Sequence, residues 1–123
     1  FPQEEFEVKN DGLYFHGIDL MGLIEEHGSP LKFTYLPKIG DNINRAKKWF
    51  NKAIEDQDYK GKYFYCYCTK SSHFAHVVNE ALKNDTHLET SSTYDIEIVN
   101  RLIKTGKVSK DNYILCNGFK ANK

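Results

Sequence analysis

No stretch of this sequence stays apolar for the ~18 residues that a membrane-spanning helix needs, and nothing in it resembles a secretory signal. Net charge is also missing: 17 basic and 17 acidic side chains cancel. No broad attraction to nucleic acid or to an anionic membrane follows from that balance. Cysteine is scarce and odd in number, with three residues, and Cys66 and Cys68 are spaced C-x-C rather than C-x-x-C. Neither a disulfide framework nor a zinc or thioredoxin-type site is suggested, and a reducing, cytoplasmic setting is expected. The phosphate-cradling patterns G-x-x-x-x-G-K-[ST] and G-x-G-x-x-G are absent. The five histidines match no ligand spacing such as H-E-x-x-H, so no metal site is expected. Aromatic residues, by contrast, make up 14% of the 123 residues, which argues for a packed core rather than disorder. The length suits one domain or part of a larger one.

Residues 1–7 carry little pattern. Asn10-Asp11-Gly12 signals a turn, and Leu13 to His16 reads as a short strand ended by Gly17. Asp19 caps a short helix through Leu20, Leu23 and Ile24 that stops at Gly28. Leu31 to Leu36 reads as a second short strand. Pro37 opens a longer helix whose apolar stripe is Ile39, Ile43, Ala46, Phe50 and Ala53. A strand at 63–69 follows, then a helix with Phe74, Val77, Val78, Ala81 and Leu82 on one face. Leu88 to Ser91 is another strand. Ser92 with Asp95 forms a capping-box-like start to a helix carrying Ile96, Val99 and Ile103 and ending at Gly106. Tyr113 to Cys116 is the last strand, stopped by Asn117-Gly118. From residue 63 the order is β-α-β-α-β, which predicts an α/β fold with a parallel sheet.

In such folds the chemistry collects where strands end at their carboxyl side. Three successive strands here end in polar groups: Thr69-Lys70-Ser71, Glu89-Thr90-Ser91-Ser92 and Asn117-Gly118. By alternation Lys70 shares a face with Cys68, Cys66 and Phe64, and the tyrosines 63, 65 and 67 take the other. An amine delivered by a rigid strand into a partly dry pocket can lose its proton and attack a carbonyl. Against this stands the plainer reading, a solvated lysine at a strand end. Glu89 and the serines after it likewise have a plainer reading as a helix cap.

Tyr67-Cys68-Thr69-Lys70-Ser71-Ser72 resembles the "Tyr-Ala-Val-Lys-Ala-Asn" signature of the fold-type III pyridoxal-phosphate decarboxylases. Leu88 to Asp95 is similar to that family's second-strand segment, an acid followed by a serine and then an acid opening a helix. A third segment, Ile114 to Lys120, follows in order. Upstream, Leu13 to Gly17 and Gly28-Ser29-Pro30-Leu31 resemble the stretch that introduces the barrel, where "Gly-Thr-Pro-Leu" is usual. The likeness covers roughly residues 10–120, and the wording around Lys70 and Glu89 is nearest to bacterial arginine decarboxylases, with diaminopimelate decarboxylases as near relatives. The chain departs from the pattern at Thr69, at Ser71-Ser72 and at Glu89, where relatives carry valine, alanine-asparagine and often aspartate.

The resemblance implies the N-terminal part of a (β/α)8 TIM barrel of the alanine-racemase and decarboxylase type, incomplete at 123 residues, since such a barrel takes about 250. Residues 1–36 are then a lead-in of short strands and a helix, and residues 37–123 the first βα units of the barrel. Implied too are pyridoxal 5'-phosphate as cofactor, Lys70 as its covalent anchor and catalytic residue, and Glu89 and Ser92 as further cofactor contacts. The implied activity is decarboxylation of a basic amino acid, arginine to agmatine in polyamine synthesis, by a homodimer when complete. The 123-residue segment alone is expected to be inactive. Alternatives are a diaminopimelate or carboxynorspermidine decarboxylase, a non-catalytic carrier of pyridoxal phosphate, or a small α/β interaction module.

Overall fold

The computed structural model describes residues 4–118. Of the third matching segment, Phe119 and Lys120 lie outside them. The chain divides into two compact units, Phe1–Thr34 and Tyr35–Lys123.

The first unit is an antiparallel meander with one helix. Strands β1 (Phe6–Lys9), β2 (Gly12–Phe15) and β3 (Ile18–Asp19) lie in that order. Both connections are two residues long, Asn10-Asp11 between the paired Lys9 and Gly12, and His16-Gly17 between the paired Phe15 and Ile18. All four of these residues have positive φ, the backbone that two-residue hairpins need to match strand twist. The weakly patterned start thus conceals a strand, whose Val8 stays exposed. Phe15 forms the unit's core with Leu20, and its ring meets Phe6 at 4.9 Å and Phe33 at 5.7 Å. Helix α1 (Leu20–His27) begins as expected, with Asp19 Oδ1 accepting from the Met21 and Gly22 amides at 3.0 and 3.1 Å. It ends on Gly28 at φ 84°.

The strand expected at 31–36 does not form. Residues 31–35 have no regular structure. Their β-favouring side chains find no neighbouring strand among the described residues, and without cross-strand partners such propensity decides little.

The second unit contains α2 (Pro37–Asp56), β4 (Cys66–Cys68), α3 (Ala75–Leu82), β5 (His87–Thr90), α4 (Thr93–Lys104) and β6 (Ile114–Cys116). The sheet order is β4-β5-β6 and both pairings are parallel, as the alternation predicted. Regular pairing in β4 is shorter than the expected 63–69, although the Tyr65 carbonyl and the Thr69 amide still bond to β5. Helices α3 and α4 cover one face of the sheet. Val78, Leu88, Val99, Leu102 and Val108 form the buried cluster, with Tyr67, Leu82 and Ile98 packed on it. Each such aliphatic side chain contributes roughly 1.5–3 kcal/mol on burial.

Three apolar stripes differ from expectation. In α4 the inward positions are Asp95, Val99 and Leu102, while Ile103 is 52% exposed. Those three follow the i, i+4, i+7 spacing, and the polar Asp95 hid the true stripe. In α3, Phe74 precedes the first turn and is exposed. Helix α2 buries Gly40 and Ile43 but leaves Phe50 exposed beside Tyr63, on which it stacks at 4.3 Å.

Helix α2 also holds the turn between α3 and β5. Lys47 Nζ donates to the Asn84 and Asp85 carbonyls, at 2.8 Å to the first, and Asn44 donates to the Asn84 side chain at 2.9 Å. Lys47 is largely buried there, its side chain 23% exposed. Its replacement by methionine keeps the stem and leaves two carbonyls without their charged donor. Lys47→Met is expected to cost about 1–3 kcal/mol, read from the urea midpoint; an unchanged midpoint contradicts the clamp.

Candidate functional site

The face of the sheet turned away from α3 and α4 carries the polar strand ends. Register places Cys66 opposite His87 and Cys68 opposite Glu89, with Leu115 opposite Glu89 on the far side. Asn117 reaches the same face, where its side chain meets Glu89 one step nearer the carboxyl end. The tyrosine parity read from the sequence agrees, since Tyr67 packs on the helix-side cluster. The amino end of this face is aromatic: the His87 ring lies 4.6 Å from Tyr113 and 5.4 Å from Phe64, and its Nδ1 accepts from the Tyr113 amide at 3.1 Å. The middle holds the two cysteines and Glu89. Burial, and then the Glu89 carboxylate, push the Cys66 thiol up, so Cys66 is a poor nucleophile.

Lys70 lies just beyond β4, in a turn whose backbone is held on both sides. Before it, Thr69 is fully buried, with its amide and its hydroxyl each 3.1 Å from the Glu89 carbonyl. After it, Ser71 donates from its amide (3.1 Å) and its hydroxyl (2.6 Å) to the Cys68 carbonyl, and the Tyr67 hydroxyl donates to the Ser72 carbonyl at 2.9 Å. Burial pushes the Tyr67 phenol up, which keeps it protonated as that donor. The lysine side chain itself is exposed. The partly dry pocket expected around it is therefore not supplied by the described residues. Among them no hydrogen bond or ion pair engages its ammonium, so its backbone is fixed and its amine is free.

Glu89 is half-buried and accepts from Asn117 Nδ2 at 2.8 Å, which fixes the carboxylate between two strand ends. The following Gly118 has φ 74°, and a Cβ there would lie 2.9 Å from the Ser91 carbonyl oxygen. Only glycine lets this third strand end pass so close to the second.

Ser92 is occupied as a helix cap. Its hydroxyl accepts from the Asp95 amide at 3.3 Å and its own amide donates to Asp95 Oδ2 at 2.8 Å, a complete capping box. Asp95 does more than the box requires. The same carboxylate oxygen also accepts from the Ser92 hydroxyl (3.0 Å), the Ser91 amide (2.8 Å) and the Ser91 hydroxyl (3.1 Å). Burial by itself pushes this carboxyl up. Donation from the Ser91 amide, the Ser92 hydroxyl, the Thr69 hydroxyl and the Ser92 amide overcomes that and brings it down to about 2. The sequence marked Asp95 only as a capping partner. Its place on the core stripe of α4 was the signal for the rest.

Of the expected site residues, Glu89 lies in β5, Lys70 in the turn just beyond the adjacent parallel strand β4, and Ser92 in the turn beyond Glu89. Hollows elsewhere in this unit lie on its helical side, one of about 530 Å³ lined by Leu36, His76 and Lys107 among others. Among the described residues no group of three or more His, Cys, Asp or Glu is placed to hold a metal ion, and no helix is long and apolar enough to cross a membrane.

The arrangement is that of an α/β unit presenting one free amine at a strand end beside an anchored carboxylate. No family model matches the chain. A curated relative does: the biosynthetic arginine decarboxylase of Marinobacter nauticus is 31% identical over 108 residues, taking in 79% of this chain and 16% of the relative. The chain therefore spans about a sixth of that enzyme's length.

A carboxyl group held near 2 when folded and near 3.8 when unfolded adds stability above pH ~4 that is lost as the pH falls toward ~2. Acid unfolding of the protein should show this loss, and Asp95→Asn should flatten the curve in that window while lowering stability at neutral pH. An unchanged acid limb in the variant would contradict the hydrogen-bonded carboxylate.

Proposed function

We propose that the chain is the N-terminal part of a (β/α)8 barrel enzyme that uses pyridoxal 5'-phosphate to decarboxylate a basic amino acid, with arginine giving agmatine as the favoured reaction. The observation that carries this is the geometry of Lys70, a free amine on a clamped turn at the carboxyl end of a parallel strand. Similarity to an arginine decarboxylase over most of the chain supports the substrate class.

The residues present fit the cofactor. Lys70 is exposed and unpaired among the described residues, in the turn directly after the strand that pairs with the one carrying Glu89. Pyridoxal phosphate, when bound, supplies an aldehyde that captures amines and a ring that takes up the electron pair left as carbon dioxide departs. The chain supplies the amine that holds the cofactor. It also supplies, in Glu89, a negative charge fixed by Asn117 that favours a cationic group beside it. Lys70 must be neutral to react, and enclosure by further strands of a completed barrel would disfavour its charge. With the cofactor bound, the Lys70 amine would also be placed to carry a proton. Ser92 acts here through the turn it caps. In the complete enzyme a homodimer and a cytoplasmic setting go with this reading.

Borohydride reduction of the complete protein incubated with pyridoxal phosphate should leave a phosphopyridoxyl group on Lys70, located by peptide mass. Lys70→Ala should remove the label and lower release of carbon dioxide from arginine by at least about a thousandfold. Reduction that leaves Lys70 unmodified would sink the proposal and favour the interaction module. Turnover of diaminopimelate in place of arginine would keep the cofactor and reassign the substrate.

A further inference from the structure

Asn117, just past β6, is held at both ends of its side-chain amide. Its Oδ1 accepts from the Gly118 amide at 2.8 Å, and its Nδ2 donates to Glu89 Oε1 at 2.8 Å. The first bond decides the second. A backbone N–H can only donate, so it selects the oxygen end of the amide and turns the NH2 end toward the carboxylate. The backbone adds a third tie, the Asn117 amide donating at 2.8 Å to the carbonyl of Thr90, the residue after Glu89. Gly118 reaches its place at φ 74°, where the Ser91 carbonyl oxygen leaves no room for a Cβ. The end of β6 is shaped to bring an amide donor to an acid on β5. Glu89 is half-buried, and a bond to an ionised acceptor is stronger than one between neutral groups. Among the described residues no hydrogen bond or ion pair engages its other oxygen, Oε2.

We infer that Asn117 is a positioning residue, which turns the Glu89 carboxylate so that one oxygen is engaged by the protein and the other is presented to a protonated nitrogen of the bound ligand. Asn117 touches no ligand in this scheme and acts through Glu89. An amide is required at 117. Aspartate there would set two carboxylates against each other, and alanine would let the Glu89 side chain rotate. The inference rests on the reading of Lys70 given above for the identity of the ligand, whether the nitrogen belongs to substrate or to cofactor. The orientation of Glu89 stands apart from that reading.

The test uses the complete protein, its Asn117→Ala and Asn117→Asp variants, and the double variant Glu89→Gln with Asn117→Asp. In the double variant the new carboxylate still accepts from the Gly118 amide and also accepts from the new glutamine. The bond is rebuilt with its charge moved from β5 to the end of β6. Should Asn117→Asp alone fail to fold, its rescue by Glu89→Gln carries the same information. The first readout is amide hydrogen exchange, followed by mass in peptides covering 87–91 and 114–118. Asn117→Asp should speed exchange in both peptides by about tenfold and Asn117→Ala by somewhat less, while the double variant returns to the wild-type rate. The second readout is binding, taken as affinity for pyridoxal phosphate and as KM for arginine. The double variant should weaken one of these by about tenfold although its exchange is restored, because the open oxygen now stands on another strand. Loss of cofactor affinity assigns the nitrogen to pyridoxal phosphate, and a raised KM with that affinity intact assigns it to arginine. Wild-type exchange in both single variants overturns the inference, as does a double variant whose exchange is not restored. Restored exchange with both binding constants within about twofold of wild type overturns it too. A wild-type protein that binds no pyridoxal phosphate overturns the cofactor reading alone, and exchange then decides whether Asn117 orients Glu89.

Discussion

Asp95 stands in the apolar stripe of α4, where burial works against its charge, and it stays ionised because four donors from Ser91 and Ser92 converge on it. A buried carboxylate without such partners would be strongly unfavourable. With them it becomes a fixed point, and the turn that ends β5 is built around it. The third strand end follows, because Gly118 has no side chain to keep it off the Ser91 carbonyl. What a polar residue costs the core of α4 it returns as order at the rim of the sheet.

That order gives Lys70 its chemical interest. Many surface lysines are free, but few sit on a turn in which the residues before and after are bonded to the sheet from backbone and side chain alike. A clamped backbone limits the volume the amine can sweep, so it is presented in one region rather than spread over the surface. Glu89, held by Asn117, is fixed by the same means on the adjacent strand. The opposite face of the sheet does the conventional work of stability, through Leu88 against Val78, Val99 and Leu102. The two faces divide the labour: one is covered by helices, and the other carries the strand-end groups.

Much of this was legible in the residues. The β-α-β-α-β order and the Asp19 and Ser92 caps follow from local chemistry, and the structure has them. Other features depend on distant partners and were not legible. The run at 31–36 has strand-like side chains but no neighbour to pair with among the described residues. The strand at Phe6–Lys9 has weak pattern and forms because the Asn10-Asp11 turn folds it onto β2. The α4 stripe was misplaced because apolarity was counted, and its key member is a carboxylate whose partners lie on other elements. The exposure of Lys70 could not be read either, since what covers a strand end is never its own sequence.

The central claim is that Lys70 faces the interior of a closed ring of parallel strands and carries an aldehyde cofactor there. An experimental structure of the complete protein with pyridoxal phosphate tests it most directly. The account predicts further parallel strands joined to the outer edges of β4 and β6, with density continuous from the Lys70 amine to the cofactor and Glu89 and Asn117 on the same inner wall. A sheet that remains open, with the lysine amine in bulk solvent and the cofactor elsewhere or unbound, would contradict it.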